Sequence, residues 1–591
     1  MKTKVTDIDA EKKSLDLSLL KRLYEFIKPY RALALIPIVL TLVTSALAPV
    51  RPYLMKISID DYVTPGNYEG LLMMISIIFG MLVVHALLQY ILGYIMQNIG
   101  QKILRDIRVK VFSHIQKLSL SFHDKNPVGK LVTRVTNDIE ALNDLFSTGI
   151  VVIIADLLMI GWIVVFMFIT NVELTLLTLA LLPVLFFVTS VFRKKVRVIF
   201  RDIRAKVAEM NTFLNEFITG IITVKLFTQE KRQTNKFDDI NLEHQDLWIK
   251  TVFYYALFFP TIEILSTLGL ALVIWYTAGN ILTGLMTIGI LVAFLQYAEM
   301  FYRPIRDLTE KFTTLQSAMA AAERIYNILD TDELEEEKEL TLDKFRDKIE
   351  FRNMSFSYDE EKWVLKDIGL NIKKGETLAI VGATGAGKTS IVNLLLKFYD
   401  YQKGNILIDG TELKEINTAS LREKIALVMQ DVFLFSRSVS DNISLGVDEI
   451  DNSIIIDSAK ALGAYEFVEN LPQKFDSLVH ERGVKLSAGQ RQLISFCRAY
   501  AADPEILILD EATSNIDSHT EAIIEKSLQK LLKDRTSVVI AHRLSTIKNA
   551  DKIAVLHHGE LRELGSHKEL LAIGGIYSRL YKLQFEEHLA A

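Results

Sequence analysis

Residues 378–397 read LAIVGATGAGKTSIVNLLLK. An apolar run from Leu378 to Val381 stops at a glycine, and a helical pattern of apolar residues resumes after Ser390. Between them lies Gly382-Ala383-Thr384-Gly385-Ala386-Gly387-Lys388-Thr389, in the strand-to-helix setting that a phosphate-binding loop needs. Glycines let backbone amides wrap phosphate oxygens, the helix N-terminus adds its positive dipole, and Lys388 sets a cation against the β- and γ-phosphates. Thr389 offers a hydroxyl to Mg2+, and Ser390 stands at the same loop-to-helix junction. A chance match is expected about 0.01 times in a chain of this length, before the strand and helix are demanded. An incidental glycine-rich turn is therefore a poor rival.

Downstream, Glu505-Ile506-Leu507-Ile508-Leu509-Asp510 is a buried-strand pattern ending in a carboxylate, where a Mg2+ partner belongs, and Glu511 follows in position to polarise an attacking water. Such a pair after an apolar strand is common, so this assignment depends on the phosphate loop. Strand-like segments such as Thr377 to Val381 and Ile506 to Leu509 alternate with helical ones. That alternation predicts an α/β domain over 349–591 whose strands feed loops at one sheet edge. Just upstream, Asp330 to Lys338 reads DTDELEEEK, an acidic stretch without apolar periodicity, which predicts a linker over 329–348.

Ahead of the linker the chemistry changes. The 591-residue chain is half hydrophobic and 24% charged, with a mean hydropathy of +0.24, which excludes a disordered or fibrous chain and points to a membrane. A formal charge of −5 supplies no basic field for a nucleic-acid backbone, so no nucleic-acid partner is expected. The single Cys497 forbids an intrachain disulfide and a thiolate metal site, and reads as core filler. The N-terminus shows no short apolar region followed by a small-residue cleavage site, so no cleaved signal peptide is expected.

From Ala32 to Val50 the chain is uncharged, made of apolar and small polar residues alone, and is long enough at 1.5 Å per residue to cross a roughly 30 Å hydrocarbon layer. Further runs bring the predicted spans to six, near 32–50, 70–101, 145–170, 174–192, 253–282 and 286–303, within a membrane domain over 1–328. Asn171 to Glu173 leaves spans three and four a minimal loop, and Gly279, Asn280 and Gly284 mark a second tight hairpin. Cations cluster at Lys102 to Arg134 and at Arg193 to Arg204, while the two hairpin loops hold none. The positive-inside rule then places both termini and both basic loops in the cytoplasm. Ile103, Leu104, Ile107, Val111, Phe112 and Ile115 recur at helical spacing, so the membrane helices are expected to continue as cytoplasmic stalks. His85, Asp156 and Glu263 fall within spans, where an ionisable group either lines a substrate cavity or makes a packing contact.

Leu486-Ser487-Ala488-Gly489-Gln490 resembles the ABC signature LSGGQ. With the phosphate loop, Asp510-Glu511 and His542, the chain resembles an ABC exporter half-transporter over almost its whole length. The resemblance implies a six-helix all-α membrane domain with long cytoplasmic helical extensions, followed by an α/β P-loop ATPase domain of ABC type. It implies ATP and Mg2+ as cofactors. It implies that Tyr358 stacks on adenine, although an aromatic ending a strand is common, and that Gln430 senses Mg2+. The loop at Glu481-Arg482-Gly483, the D-loop at Ser514-Asn515-Ile516-Asp517 and the switch histidine His542 match the same family. Asn126 to Asp138 and Glu216 to Glu230 resemble its two cytoplasmic coupling loops.

Ala488 departs from the family by adding a methyl where glycine is usual; Ser487, Gly489 and Gln490 remain. The resemblance implies ATP sandwiched between the P-loop of one chain and the signature of another, hence a second half-transporter in a homodimer or a heterodimer. It implies a multi-pass protein of a bacterial cytoplasmic membrane, embedded in the lipid bilayer with its ATPase domain in the cytoplasm. The implied work is ATP-driven export of small amphipathic or lipophilic molecules, drugs or lipids. The competing reading is a membrane-anchored regulatory ATPase without transport.

Overall fold

The computed structural model describes residues 17–335, 338–359, 362–447, 449–510, 518–541 and 544–582. The chain folds as two compact units, one running to Ile115 and from Gly129 to Asp330, the other formed by Gln116–Val128 together with the chain from Thr331 onward. Sequence placed 116–128 in the membrane domain. In the fold this segment joins the second unit, because Ser119 N donates to Glu333 O at 2.8 Å and Glu335 N donates to Lys117 O at 3.2 Å.

In the first unit, five helices among the described residues are long and apolar enough to cross a membrane: Lys21–Val63, Tyr68–Lys117, Val128–Thr170, Val172–Thr219 and Glu230–Leu282. The helix Tyr68–Lys117 has 50 residues, about 75 Å at 1.5 Å per residue, more than twice a hydrocarbon layer. Its far end is the expected stalk: Ile103, Leu104, Ile107, Val111 and Ile115 are buried, whereas Phe112 is exposed. The sixth expected span lies on the continuous helix Ile288–Leu329, whose described first part, Ile288–Phe301, is apolar. Outward-facing side chains such as Phe186, Trp275 and Leu282 are 78%, 74% and 89% exposed. Water would penalise that apolar area at about 25 cal/mol per Å2, and lipid does not.

Several buried threonine hydroxyls in this unit are satisfied locally, which a lipid solvent favours. Thr175, Thr178 and Thr277 return their hydroxyls to carbonyls four residues back, at 2.6, 2.8 and 2.7 Å. Asn171 interrupts the helices for one residue and caps the next, its Oδ1 accepting from Leu174 N at 3.0 Å. The second hairpin turns at Gly284, whose φ of +75° favours glycine. Thr287 then caps the following helix, and its hydroxyl donates to Asp60 at 2.6 Å.

The second unit carries two sheets. Strands β1 (Lys348–Phe356), β2 (Leu365–Lys373), β4 (Lys403–Ile408) and β5 (Thr411–Glu412) make an antiparallel sheet in the order β2-β1-β4-β5. Strands β3 (Thr377–Val381), β6 (Ile425–Val428), β7 (Ile506–Asp510), β8 (Thr536–Ile540), β9 (Lys552–His557) and β10 (Glu560–Gly565) make a second sheet in the order β10-β9-β3-β8-β7-β6. All its pairings are parallel except β9 with β10. The period-2 alternation of strands divides this sheet between two cores. Leu378, Ile380, Ile506, Ile508, Val538 and Ile540 face a core shared with the antiparallel sheet and the helix Lys388–Leu395. Ala379, Val381, Leu507, Leu509, Val539 and Ala541 face a core built with the helical segment around Val439, Ile455 and the helix Ala488–Ala501. Burial on both faces explains why these strands read as continuous apolar runs.

Candidate nucleotide-binding site

Parallel pairing brings the C-terminal ends of β3, β8, β7 and β6 side by side, with Ile380 and Asp510 both opposite Ile540, and Leu509 opposite Val428. The described segments at these ends include ones that sequence selected: Gly382 to Thr389 after β3, Asp510 at the end of β7, and Gln430 beyond β6. This is the crevice at strand ends where open α/β sheets bind ligands.

The loop after β3 has the local stereochemistry its glycines imply. Gly385 and Gly387 adopt φ of +81° and +97°. A Cβ on Gly387 would stand 2.6 Å from Leu365 Cδ2, so both conformation and space disfavour a side chain there, and one on Gly382 would stand 2.3 Å from Leu556 O, which excludes it by space alone. Gly387 caps the helix Lys388–Leu395. Ala383, Thr384, Gly385 and Thr389 are exposed around the loop, while Ala386, Lys388 and Ser390 are buried. Lys388 Nζ folds back and donates to Gly382 O at 2.9 Å and Ala383 O at 3.2 Å. Burial pushes its pKa below the usual lysine value, against the opposing pull of Asp510. A cation so placed, desolvated and held inside the loop, is suited to an incoming anion.

Tyr358 lies just beyond β1 and is 42% exposed. Its hydroxyl shares a hydrogen bond with Ser390 Oγ at 3.0 Å, and its ring meets Phe356 edge-on at 4.6 Å. The stacking partner expected for adenine therefore stands beside the phosphate loop with part of its surface open. Gln430 is exposed. Thr389, Gln430 and Asp510 are all oxygen donors issuing from one sheet edge, a set whose hardness suits Mg2+ when phosphate oxygens complete the shell. Glu511, His542 and the D-loop, Ser514 to Asp517, lie outside the described residues.

The signature begins a helix of its own. Ser487 caps Ala488–Ala501 reciprocally, its Oγ accepting from Gln490 N at 3.2 Å while Gln490 Oε1 accepts from Ser487 N at 2.9 Å. Ser487 and Ala488 are exposed, Gly489 is buried and Gln490 is half-buried. The added methyl of Ala488 thus points away from the core. Cys497 is fully buried and its thiol is pushed up to about 12 by desolvation, which fits core filler.

Sequence reasoning passed over Arg498. Its Nε donates to Asn442 O at 2.8 Å and its terminal nitrogens reach Phe433 O at 3.4 Å. Asn442, fully buried, donates to Phe435 O and Ser438 O, both at 2.9 Å. Together they pin the loop that follows Gln430 to the signature helix. The pattern offers one clue, an arginine on the buried side of an amphipathic helix.

Fold and site define a membrane-embedded P-loop ATPase. The ABC transporter transmembrane region family matches residues 34–305, and the ABC transporter family matches residues 365–514. The chain is 40% identical over 568 residues to the uncharacterized ABC transporter ATP-binding protein YknV of Bacillus subtilis, covering 95% of this chain and 94% of that one. It is 36% identical to an ATP-dependent lipid A-core flippase of Syntrophus aciditrophicus, covering 97% and 95%. Its fold matches the structure of a bacterial Atm1-family ABC exporter with ATP bound, with a TM-score of 0.75, 26% identity and coverage of 94% and 98%. The chain belongs to the ABC transporter family, as a half-transporter that joins one membrane domain to one ATPase domain. It is a multi-pass integral membrane protein that binds nucleotide and couples its hydrolysis to transport.

Proposed function

We propose that this half-transporter exports amphipathic or lipophilic molecules, drugs or lipids, by alternating access driven by ATP. The observation that carries the reading is the pairing of a complete phosphate loop around Lys388 with helices that run far past the membrane's thickness. Relatives support the class of cargo: one is named a lipid A-core flippase and another, from Bacillus subtilis and 34% identical, a putative multidrug export protein.

In this reading the loop amides from Gly382 to Thr389 bind the phosphates, Lys388 exchanges its loop carbonyls for phosphate oxygens, and Tyr358 stacks on adenine. Thr389, Gln430 and Asp510 hold Mg2+, which when bound neutralises charge building on the phosphates. Glu511 takes the proton of the attacking water and His542 contacts the γ-phosphate. Ser487, Gly489 and Gln490 serve the P-loop of a second half-transporter, so closing requires a dimer. ATP favours the closed pair and hydrolysis releases it, which changes the access of the membrane domain.

The test is ATPase activity of the protein in proteoliposomes against a panel of lipids and lipophilic dyes. Stimulation by particular compounds supports export. Indifference to all of them supports the regulatory-ATPase reading.

A further inference from the structure

Beyond the end of the phosphate-loop helix, Tyr399 occupies a junction that the reaction does not require. Its hydroxyl donates to the carboxylate of Asp124, and its ring meets that of Tyr358 edge-on, with centroids 4.8 Å apart and planes at 89°. Phe356 completes the cluster, 5.9 Å from Tyr399 and 4.6 Å from Tyr358. Tyr358 is anchored on its other side, its oxygen sharing the bond to Ser390 at 3.0 Å and accepting from Asn393 Nδ2 at 3.4 Å. Four contacts therefore run without a gap from Asp124 through Tyr399 and Tyr358 to the phosphate-loop helix.

Asp124 lies in the short helix Leu120–Lys125 of the first cytoplasmic loop. Ser119 caps this helix, its Oγ accepting from Phe122 N at 3.4 Å, while Ser119 N is bonded to Glu333 O at 2.8 Å. Lys125 reaches Glu333 at 3.9 Å. One end of the loop continues directly into the 50-residue helix Tyr68–Lys117. Burial, reinforced by Asp124, holds the Tyr399 phenol above its usual pKa and so keeps it a proton donor.

We propose that Tyr399 is a positioning residue that sets the adenine-facing ring of Tyr358 through Asp124, so that base occupancy and docking of the first cytoplasmic loop reinforce each other. The proposal rests on the assignment of Tyr358 to adenine. Edge-to-face rings constrain one another's tilt, so releasing Tyr399 from Asp124 frees Tyr358 to leave the orientation a base would stack on. By linkage, a base that fixes Tyr358 also fixes Tyr399 and strengthens its bond to the loop, by the same factor.

The test uses the full-length protein in nanodiscs, with KM and kcat for ATP measured separately. Tyr399→Phe and Asp124→Ala are each expected to raise KM about 5-fold with kcat held within about 2-fold. Asp124→Asn keeps an oxygen that accepts from the phenol and is expected to stay near the wild-type KM. The double variant Tyr399→Phe/Asp124→Ala is expected to be no worse than either single one, since both break the same contact. An unchanged KM in the two single variants, or effects that multiply in the double, overturns the proposal.

Tyr358→Ala separates it from the reading it rests on. A raised KM there, with none in Tyr399→Phe, sinks the relay alone, and an unchanged KM there sinks the adenine assignment itself. A second measurement leaves the network intact: maleimide labelling of Lys125→Cys. ATP is expected to slow labelling about 5-fold relative to inorganic tripolyphosphate, which has no base to stack. Equal protection by the two overturns the linkage.

Discussion

Arg324 lays its guanidinium against Asp138, with Nη2 2.5 Å from Oδ1 and Nε 3.1 Å from Oδ2. Arg134 reaches Oδ2 of the same carboxylate at 2.6 Å. Asp138 is 7% exposed, so the triad joins the helix Ile288–Leu329 to the segment that leads into Ile150–Thr170. A second clamp lies near the end of the former helix, where Arg22 pairs with Asp330 at 2.5 and 2.7 Å and covers the Tyr326 ring at 3.9 Å.

Arg324→Ala strands a buried carboxylate on one remaining arginine. It is expected to cost about 1–3 kcal/mol, below the full cost of breaking a buried pair because the Arg324 side chain is itself 39% exposed. Asp138→Asn removes the shared counter-charge of both arginines and is expected to cost at least as much as Arg324→Ala. Thermal unfolding in detergent measures both, and an Asp138→Asn protein as stable as wild type would contradict the account.

Chemistry and binding separate at two residues. Glu511→Gln is expected to bind ATP and hydrolyse it at least ~100-fold more slowly, since the water loses its base. Lys388→Ala should weaken ATP binding as well, because the cation inside the loop is gone. Turnover of Glu511→Gln within a few-fold of wild type would show that another group activates the water.

Much of this was legible in the sequence because it is local. The phosphate loop combines a strand, three glycines and a helix within about twenty residues, and their conformations follow from sterics alone. Asn171 and Thr287 cap helices where polar breaks interrupt apolar runs. What sequence could not place is non-local. Asp138 and Arg324 are 186 residues apart, and Tyr399 and Asp124 are 275 apart; no periodicity links such positions. Phe112 fits the stalk's apolar stripe by spacing yet is exposed in the single chain. The segment 116–128 changed units because its backbone partners, Glu333 and Glu335, lie more than two hundred residues downstream.

Topology is open to chemical labelling because Cys497 is silent. Buried, with its thiol pushed up to about 12, it carries almost no thiolate at neutral pH and should resist maleimide until the protein is unfolded. An impermeant maleimide on intact cells is then expected to label Asn280→Cys and spare Asn126→Cys. The reverse pattern would invert the protein in the membrane.

The signature tests the partner. Ser487→Arg places a charge on the exposed cap of its helix and should abolish the ATPase of a homodimer, whose two sites each borrow that cap. If the chain instead works with a different half-transporter, it is expected to show little ATPase alone, and Ala488→Gly should not restore it. A robust ATPase from the lone chain, cooperative in ATP, would settle the homodimer.

Export itself is measured most directly as directional movement in proteoliposomes, with the ATPase domain facing outward and ATP supplied there with Mg2+. The account predicts that at least one lipophilic dye or labelled lipid accumulates in the lumen or changes leaflet while ATP is consumed, and that Glu511→Gln stops it. Sustained ATP hydrolysis that moves none of them, and that none of them alters, would contradict it.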